Sequence, residues 1–413
     1  IIVFEPNVEL LSFVLNIAKI DAIFKNNVVV CADEKKFKEH IYNFSNPDTK
    51  LSISFLKSYR VLFNDDIVKT VQIAKKAQGE HIAGKNTLLL NAAKATSNTF
   101  RNLKNIFNNP NVVDLQDIYK NKETTALCLS AGPSLKENIE IIQKNQDKFV
   151  IFAVNPTVKL LAEYNIKPDF IVDIEAGNTS PQFNTIDTSE YYFILEAFCN
   201  YNVSRLKTKK TFNYISKSAF MNPWLRGCLK LTDDLEVMGT VSYSALLSAG
   251  VMGFKRIILC GQDLAYKNGD CYAKGSQFEN LKCVFDENEK KYKITTDDFE
   301  AYANSFRTPT ATPEQTAKIA EKNLDFLNKN IYTVKSQTGE NIPTQTGYAL
   351  FIDWFSKAAE DIKLKHPEIE LFNASVGGAQ IDGFINKSLE EIIPDLKPIE
   401  KLDLSGFEAK HDK

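Results

Sequence analysis

The stretch TTALCLSAGPSL, Thr124 to Leu135, decides how the rest of the chain is read. Thr124–Ser130 is a nearly unbroken apolar run, the pattern of a parallel strand covered on both faces. It breaks at Ala131–Gly132–Pro133–Ser134 and passes into LKENIEIIQK, whose apolar residues recur at helical spacing. Backbone N–H groups at a helix N-terminus converge on an anion, and glycine lets the backbone approach closely. The turn within Leu127–Leu135 therefore reads as the entry to a nucleotide-binding α/β domain. One glycine is less specific than a GxGxxG or Walker loop, so a plain strand–helix turn fits the same residues.

The same alternation continues downstream. Strand FVIFAVN (Phe149–Asn155), helix TVKLLAEYN and strand DFIVDIE (Asp169–Glu175) follow in order. YYFILEAF, TFNYIS and RIILCGQD (Arg256–Asp263) are further strand candidates, with a helix at Ser242–Gly250. Repeated β–α alternation predicts an α/β fold with a doubly wound, mostly parallel, Rossmann-like sheet. Upstream, Ile1–Phe4, Asn27–Cys31 and Leu51–Phe55 read as strands, while Leu10–Ile20 and the region from Ile67 to about Phe107 read as helical. Residues 1–121 are thus expected to form a small α/β domain with a helical connection. Residues 122–298 would form the central nucleotide-binding domain, ending in a polar loop or hairpin from Asn268 to about Asp298. Residues 299–413 read as helical, with helices at Glu314–Asn328, Gly347–Lys363 and Phe384–Ile393. A final strand at about 369–373 would return to the central sheet.

Composition narrows the class. The 413 residues, 44% hydrophobic and 25% charged, suit globular domains with buried cores. Fifty basic against 52 acidic residues leave a formal charge of −2, which gives no general pull toward nucleic acid or an anionic membrane. Any bound anion must be held by local geometry. The seven cysteines are scattered without a CxxC pair, so a zinc site and a disulfide framework are both disfavoured. Cys128 and Cys260 read as buried small hydrophobes. No apolar stretch approaches the roughly 20 residues of a membrane span, and no signal peptide is visible. The chain opens on Ile1 rather than Met, as a piece of a longer protein would, and a cytoplasmic setting is expected.

Chemistry is carried by a few short motifs. In an open parallel sheet the carboxyl ends of the strands face the ligand crevice. Asn155 closes its strand there, either as a ligand contact or as a helix N-cap. Asp173 and Glu175 end another strand on one face and suit a ribose, a base, a metal or a loop cap. Gly239, Thr240 and Ser242 bring two hydroxyls to the start of a small-residue helix. GQDLAYKNGDCYAKGS (Gly261–Ser276) leaves a strand at Gly261–Gln262–Asp263 and carries Tyr266 and Tyr272 around an Asn–Gly turn. Two phenol donors there suit a phosphate leaving group, and an ordinary hairpin with exposed tyrosines suits the same spacing. Asn373, Gly377 and Gly378 in NASVGGAQIDG are possible substrate contacts. Histidine is scarce (His40, His81, His366, His411) and absent from every motif, which disfavours histidine catalysis and histidine-rich metal sites.

Taken together, IIVFEPN, CLSAGPSL, FAVNP, DFIVDIE, MGTVSYSALLSAG, IILCGQDLAY with YAKG, and NASVGGAQIDG resemble the motility-associated factor (Maf) flagellin glycosyltransferases over nearly the whole chain. The central motifs also resemble the metal-independent bacterial sialyltransferases of the GPSL type, whose donor is a CMP-linked nine-carbon acid. That resemblance implies that Gly132–Leu135 matches the nucleotide loop, with Ala131 where those enzymes place an asparagine. It implies a cytidine-site role for Asn155, a donor contact at Thr240, and stabilisation of the departing phosphate by Tyr266 and Tyr272. The same enzymes use a histidine base, but the matching region around Thr344–Thr346 has none, which leaves Asp173, Glu175 and Asp263 as candidates.

The function implied is transfer of a nonulosonic acid, of pseudaminic or legionaminic type, from a CMP donor to Ser or Thr of flagellin. Flagellin would be the protein partner, and no cofactor or metal is called for. Two alternatives stay open: a pterin pyrophosphokinase-like enzyme, and a non-catalytic flagellin-binding factor with a vestigial nucleotide site.

Overall fold

The computed structural model describes the chain except residues 18–26, 45–50, 238, 272–279, 305, 307–310, 330 and 409–413, and the side chains of 42, 76 and 80–90. It divides into two compact units, Ile1–Leu90 and Asn91–Lys413.

In the first unit, β1 (Ile2–Phe4), α1 (Val8–Ile17), β2 (Val29–Cys31), α2 (Glu34–Phe44) and α3 (Lys57–Leu62) precede α4 (Asn64–Asn108), which ends in the second unit. β1 and β2 pair in parallel. Phe4 stacks on Phe37 of α2 at 4.4 Å, inside a small core with Cys31, Ile41 and Ala74. Leu51–Phe55, expected as a strand, has no ladder partner among the described residues and runs as irregular chain, with Leu51 and Ile53 packing on that core.

The second unit is built on eight parallel strands. Those laid down before the long crossovers are β3 (Thr125–Leu129), β4 (Val150–Val154), β5 (Phe170–Asp173), β6 (Tyr192–Glu196) and β7 (Lys210–Tyr214). They alternate with α5 (Ser134–Lys144), α6 (Val158–Glu163) and α7 (Tyr201–Ser204). Then come α8 (Asn222–Leu229), α9 (Val241–Val251) and β8 (Arg256–Cys260). Hairpin β9–β10 (Leu281–Asp286, Lys291–Thr296), α10 (Phe299–Asn304) and α11 (Pro313–Lys329) lead to hairpin β11–β12 (Ile331–Lys335, Asn341–Gln345). The chain returns through α12 (Thr346–Lys365) to β13 (Glu370–Asn373), β14 (Ile385–Asn386) and α13 (Leu389–Ile392).

The strand order β14-β13-β8-β3-β4-β5-β6-β7 is that of a doubly wound sheet. β3 to β7 step outward one way, and β8 then returns to the other side of β3. The order therefore reverses between β3 and β8, the place where open α/β sheets bind ligands.

Alternation explains the apolar run in β3. Leu127 and Leu129 face a core shared with α5 and α13, while Ala126 and Cys128 face one shared with α9 and α12. Both faces are buried, so each large side chain contributes roughly 1.5–3 kcal/mol. The small residues of α9 let it lie against the sheet beneath α12, as expected from their packing role. Cys128 and Cys260 are buried as expected, and all seven cysteines are unpaired.

Three local expectations fail in this unit. The strand DFIVDIE stops at Asp173. Phe384–Ile393, expected as one helix, is the short edge strand β14 followed by a single turn of helix capped by Ser388. The hairpin β11–β12 was not anticipated, because its strands are only partly buried and lack a continuous apolar run.

Candidate functional site

The loops after β3 and β8 clasp one another at the reversal point. Gly132 N–H donates to Gly261 O at 2.8 Å, and a side chain at Gly132 would overlap Asp263 Oδ2 and Gly261 O. Gly261 has φ +77°, and a side chain there would overlap Ser130 O. Both positions need glycine, for different reasons: close approach at the first, and close approach with left-handed backbone at the second.

The anion position at the start of α5 is filled by the chain itself. Asp263 Oδ2 accepts from Ser134 Oγ at 2.9 Å and from Ser134 N–H at 3.2 Å. Burial pushes the Asp263 carboxyl up to about 6, against the downward pull of both Ser134 donors and of Lys267. A phosphate seated directly on this helix end would have to displace a carboxylate.

Around this clasp, buried polar atoms lack partners among the described residues. They are Asn155 Oδ1 after β4, Gln262 Oε1 and Asp263 Oδ1 after β8, and Asn373 Nδ2 at the end of β13. None of the four residues is more than 4% exposed. Their other atoms are held. Asn155 Nδ2 donates to Gln182 Oε1 at 2.9 Å, Gln262 N–H to Ser375 Oγ at 2.8 Å, and Ser375 N–H to Asn373 Oδ1 at 3.0 Å. Gly378 packs directly on Asp263, where a Cβ would lie 2.8 Å from its Cα, and Ala379 N–H donates to Asp263 O at 2.7 Å. Each orphaned buried group costs roughly 1–3 kcal/mol unless a ligand or water meets it. This set presents three acceptors and one amide donor on one edge of the sheet.

Other expected site residues are placed less directly. Ala131, Gly132 and Pro133 are half-buried, and Thr240 is half-buried at the start of α9. Gly239 (φ +35°) lies against the Trp354 ring of α12, 2.9 Å from where its Cβ would be. Ser242 accepts from Ser130 Oγ at 2.8 Å, which ties α9 to the end of β3. Tyr266 is buried beside Cys271 and Leu281 and lies 5.7 Å from the Tyr348 ring, so it is not a residue of an exposed hairpin. Tyr272 lies outside the described residues. Thr344 is fully buried and donates to Leu264 O at 2.8 Å. Gly377 (φ +81°) lies under the stem of Lys267.

Asp173 and Glu175 do not share a strand face, because the strand ends between them. Asp173 is fully buried, accepts from Glu175 N–H at 2.8 Å and from Thr179 Oγ1, and burial pushes its carboxyl up to about 7. Glu175 is exposed.

Several further residues shape this edge without having been singled out in the sequence. Glu196 ends β6 at 1% exposure, accepts from Asn222 Nδ2 at 2.7 Å and from Ala197 N–H at 3.0 Å, and burial raises it to about 7. Lys267 Nζ bridges both oxygens of Glu137, at 3.0 and 2.8 Å. Asn98 and Asn102 of α4 donate to carbonyls in the loops after β5 and β6, and Asn105 to Ser204 O at the end of α7. That row was legible in principle. Asparagine is a poor helix-interior residue, and its spacing here of four and then three residues marks one helix face.

Among the described residues no His, Cys, Asp and Glu side chains cluster as a metal would need, and no helix is long and apolar enough to cross a membrane. A cleft of about 150 Å³ lies at the starts of β8 and β13. It is too small for a nucleotide. Its charges also pair internally, Arg256 with Glu370 at 2.8 Å and Lys387 with Asp395 at 3.9 Å.

Known proteins share this architecture. The Maf glycosyltransferase from Magnetospirillum magneticum AMB-1 superposes with a TM-score of 0.57 at 14% identity, over 94% of this chain and 53% of that one. The chain has the fold of a Maf glycosyltransferase. The resemblance carried by the motifs thus extends to the tertiary structure. A family model described as 6-hydroxymethylpterin diphosphokinase MptE-like matches residues 97–269, from the end of α4 through the turn after β8. An uncharacterised protein of Treponema pallidum (strain Nichols) is 30% identical over 91 residues, 22% of this chain and 41% of that protein. The chain spans about half the length of the Maf structure.

Proposed function

We propose that this chain carries the donor site of a glycosyltransferase that moves a nonulosonic acid, of pseudaminic or legionaminic type, from CMP to Ser or Thr hydroxyls of flagellin. The observation that carries the reading is the set of unpartnered buried atoms of Asn155, Gln262, Asp263 and Asn373 at the reversal of strand order. A nucleotide base and sugar supply the N–H, O–H and carbonyl groups that such a set lacks. Ala131–Ser134, Gly239, Thr240 and Ser242 would form the walls of the nucleotide site.

In the reaction the bond from the sugar's anomeric carbon to the phosphate oxygen breaks, and the electron pair leaves with CMP. The acceptor oxygen bonds to that carbon and gives its proton to a base. Asp263 suits the base better than Asp173, because its Oδ1 is unpartnered while both oxygens of Asp173 are engaged. Tyr266 and Tyr272 would donate to the departing phosphate. Removing such a donor costs about 2.7–4 kcal/mol of transition-state stabilisation, so Tyr272→Phe is expected to lower turnover by roughly 10²–10³-fold.

A second reading, diphosphoryl transfer to a pterin, is favoured by the family model over residues 97–269. It needs a nucleoside triphosphate and Mg²⁺. Titration calorimetry with CMP, a CMP-nonulosonate, ATP and GTP, with and without Mg²⁺, separates the readings. Metal-independent CMP binding is expected. Preference for a triphosphate with Mg²⁺ would support the kinase, and no nucleotide binding would leave a flagellin-binding factor.

A further inference from the structure

The donor's phosphate needs a positive partner, and the obvious one is taken. The start of α5 holds the Asp263 carboxylate, buried and bonded twice to Ser134, so this helix end is already neutralised. Nearby, Lys136 turns to Tyr164, its Nζ 4.0 Å from the ring centroid. Lys267 is placed differently. It opens the single 3-10 turn Lys267–Gly269 shortly after β8. Its stem lies across Gly377, where a Cβ would sit 2.8 Å from Lys267 Cε. Gly377 follows Asn373 and Ser375 in the loop that lines the unpartnered atoms, so this cation belongs to the same wall.

The ammonium is held in a way that permits exchange. Its partner, Glu137, has a side chain 51% exposed, while the Lys267 side chain is 20% exposed. A partly exposed pair contributes little, and a released Glu137 simply returns to water. Asn373 Nδ2, fully buried and without a partner, supplies an independent neutral donor on the same loop.

We infer that Lys267 is the cation that meets the donor's phosphate, and that Glu137 holds it in place until the nucleotide arrives. This rests on the donor-site reading above. The role is electrostatic and requires no covalent step: the phosphate oxygen takes the position of the Glu137 carboxylate on Nζ.

Calorimetry of CMP and cytidine binding to the whole chain, in wild type, Lys267→Met and Glu137→Gln, tests this, with thermal melts as a check on folding. Lys267→Met is expected to weaken CMP roughly tenfold to a hundredfold while leaving cytidine unchanged, the loss typical of a hydrogen bond to a charged group. Glu137→Gln is expected to keep or tighten CMP binding, because it releases the cation. Equal CMP affinity in wild type and Lys267→Met overturns the assignment alone. So does parallel weakening of CMP and cytidine in both variants, which marks a merely structural bridge. Failure of the wild type to bind CMP overturns the donor reading, and the assignment with it.

Discussion

The carboxyl edge of the large sheet has two halves, and they are finished in opposite ways. Over β5 and β6 the loops are sealed by α4. Asn98 Nδ2 donates to Ala176 O and Phe198 O at 3.0 and 3.2 Å, Asn102 Nδ2 to Ala197 O and Cys199 O at 3.0 and 2.9 Å, and Asn105 Nδ2 to Ser204 O at 2.6 Å. Across β4, β3, β8 and β13 two glycine-dependent loops clasp, and polar atoms are left without partners. The loop carbonyls of the first half are thus satisfied by a helix, while no such helix row reaches the side-chain atoms of the second. The carboxylates do not follow this division: both oxygens of Asp173 are engaged, but Glu196 Oε2 on the closed half is buried without a partner among the described residues, as Asp263 Oδ1 is on the open one.

The sharpest way to break this comparison is Asn102→Ala. Two loop carbonyls lose their donor, so stability is expected to fall by about 2–5 kcal/mol, measured by denaturant unfolding, while CMP affinity stays unchanged. A clear loss of CMP binding in a folded variant would show that the two halves are one site.

A somewhat smaller effect concerns pH. Burial raises Asp173 and Glu196 to about 7, so the folded state keeps protons that the unfolded chain has already released. For an acid with a raised pKa, the unfolded state binds fewer protons through this window, and stability falls as pH rises from about 4 to about 7. Glu196→Gln should flatten that decline by on the order of 3 kcal/mol, read from melts across the range. An unchanged slope would mean that Glu196 does not hold its proton in the fold.

The smallest stability effect is expected on the open half. Gln262→Met removes an unpartnered buried carbonyl, so stability should hold or rise by up to about 1 kcal/mol while CMP binding weakens. A marked loss of stability would show that Gln262 is structural, like the asparagines of α4.

Much of the fold was legible because burial on both faces leaves continuous apolar runs. β3, β4, β6 and β8 could be read this way, and the Gly132–Pro133 break marked where the first helix starts. Leu51–Phe55 and Phe384–Ile393 misled for the same reason. Apolar character records burial, not whether a ladder partner or a full helical turn is present. Asn155, Asp263 and Asn373 could be singled out as polar residues closing apolar strands, but which of them would be satisfied internally could not.

Sequence by itself determined the α/β class, the glycine turn at Gly132 and the polar residues at the strand ends, because these follow from side-chain periodicity and from where an apolar run breaks. Tertiary structure alone decided that Asp263 fills the helix end and that Lys267 reaches Glu137, contacts across 129 and 130 residues. It alone decided that α4 closes one half of the edge. Whether a buried polar atom finds a partner depends on which distant segment packs beside it, and no local pattern encodes that.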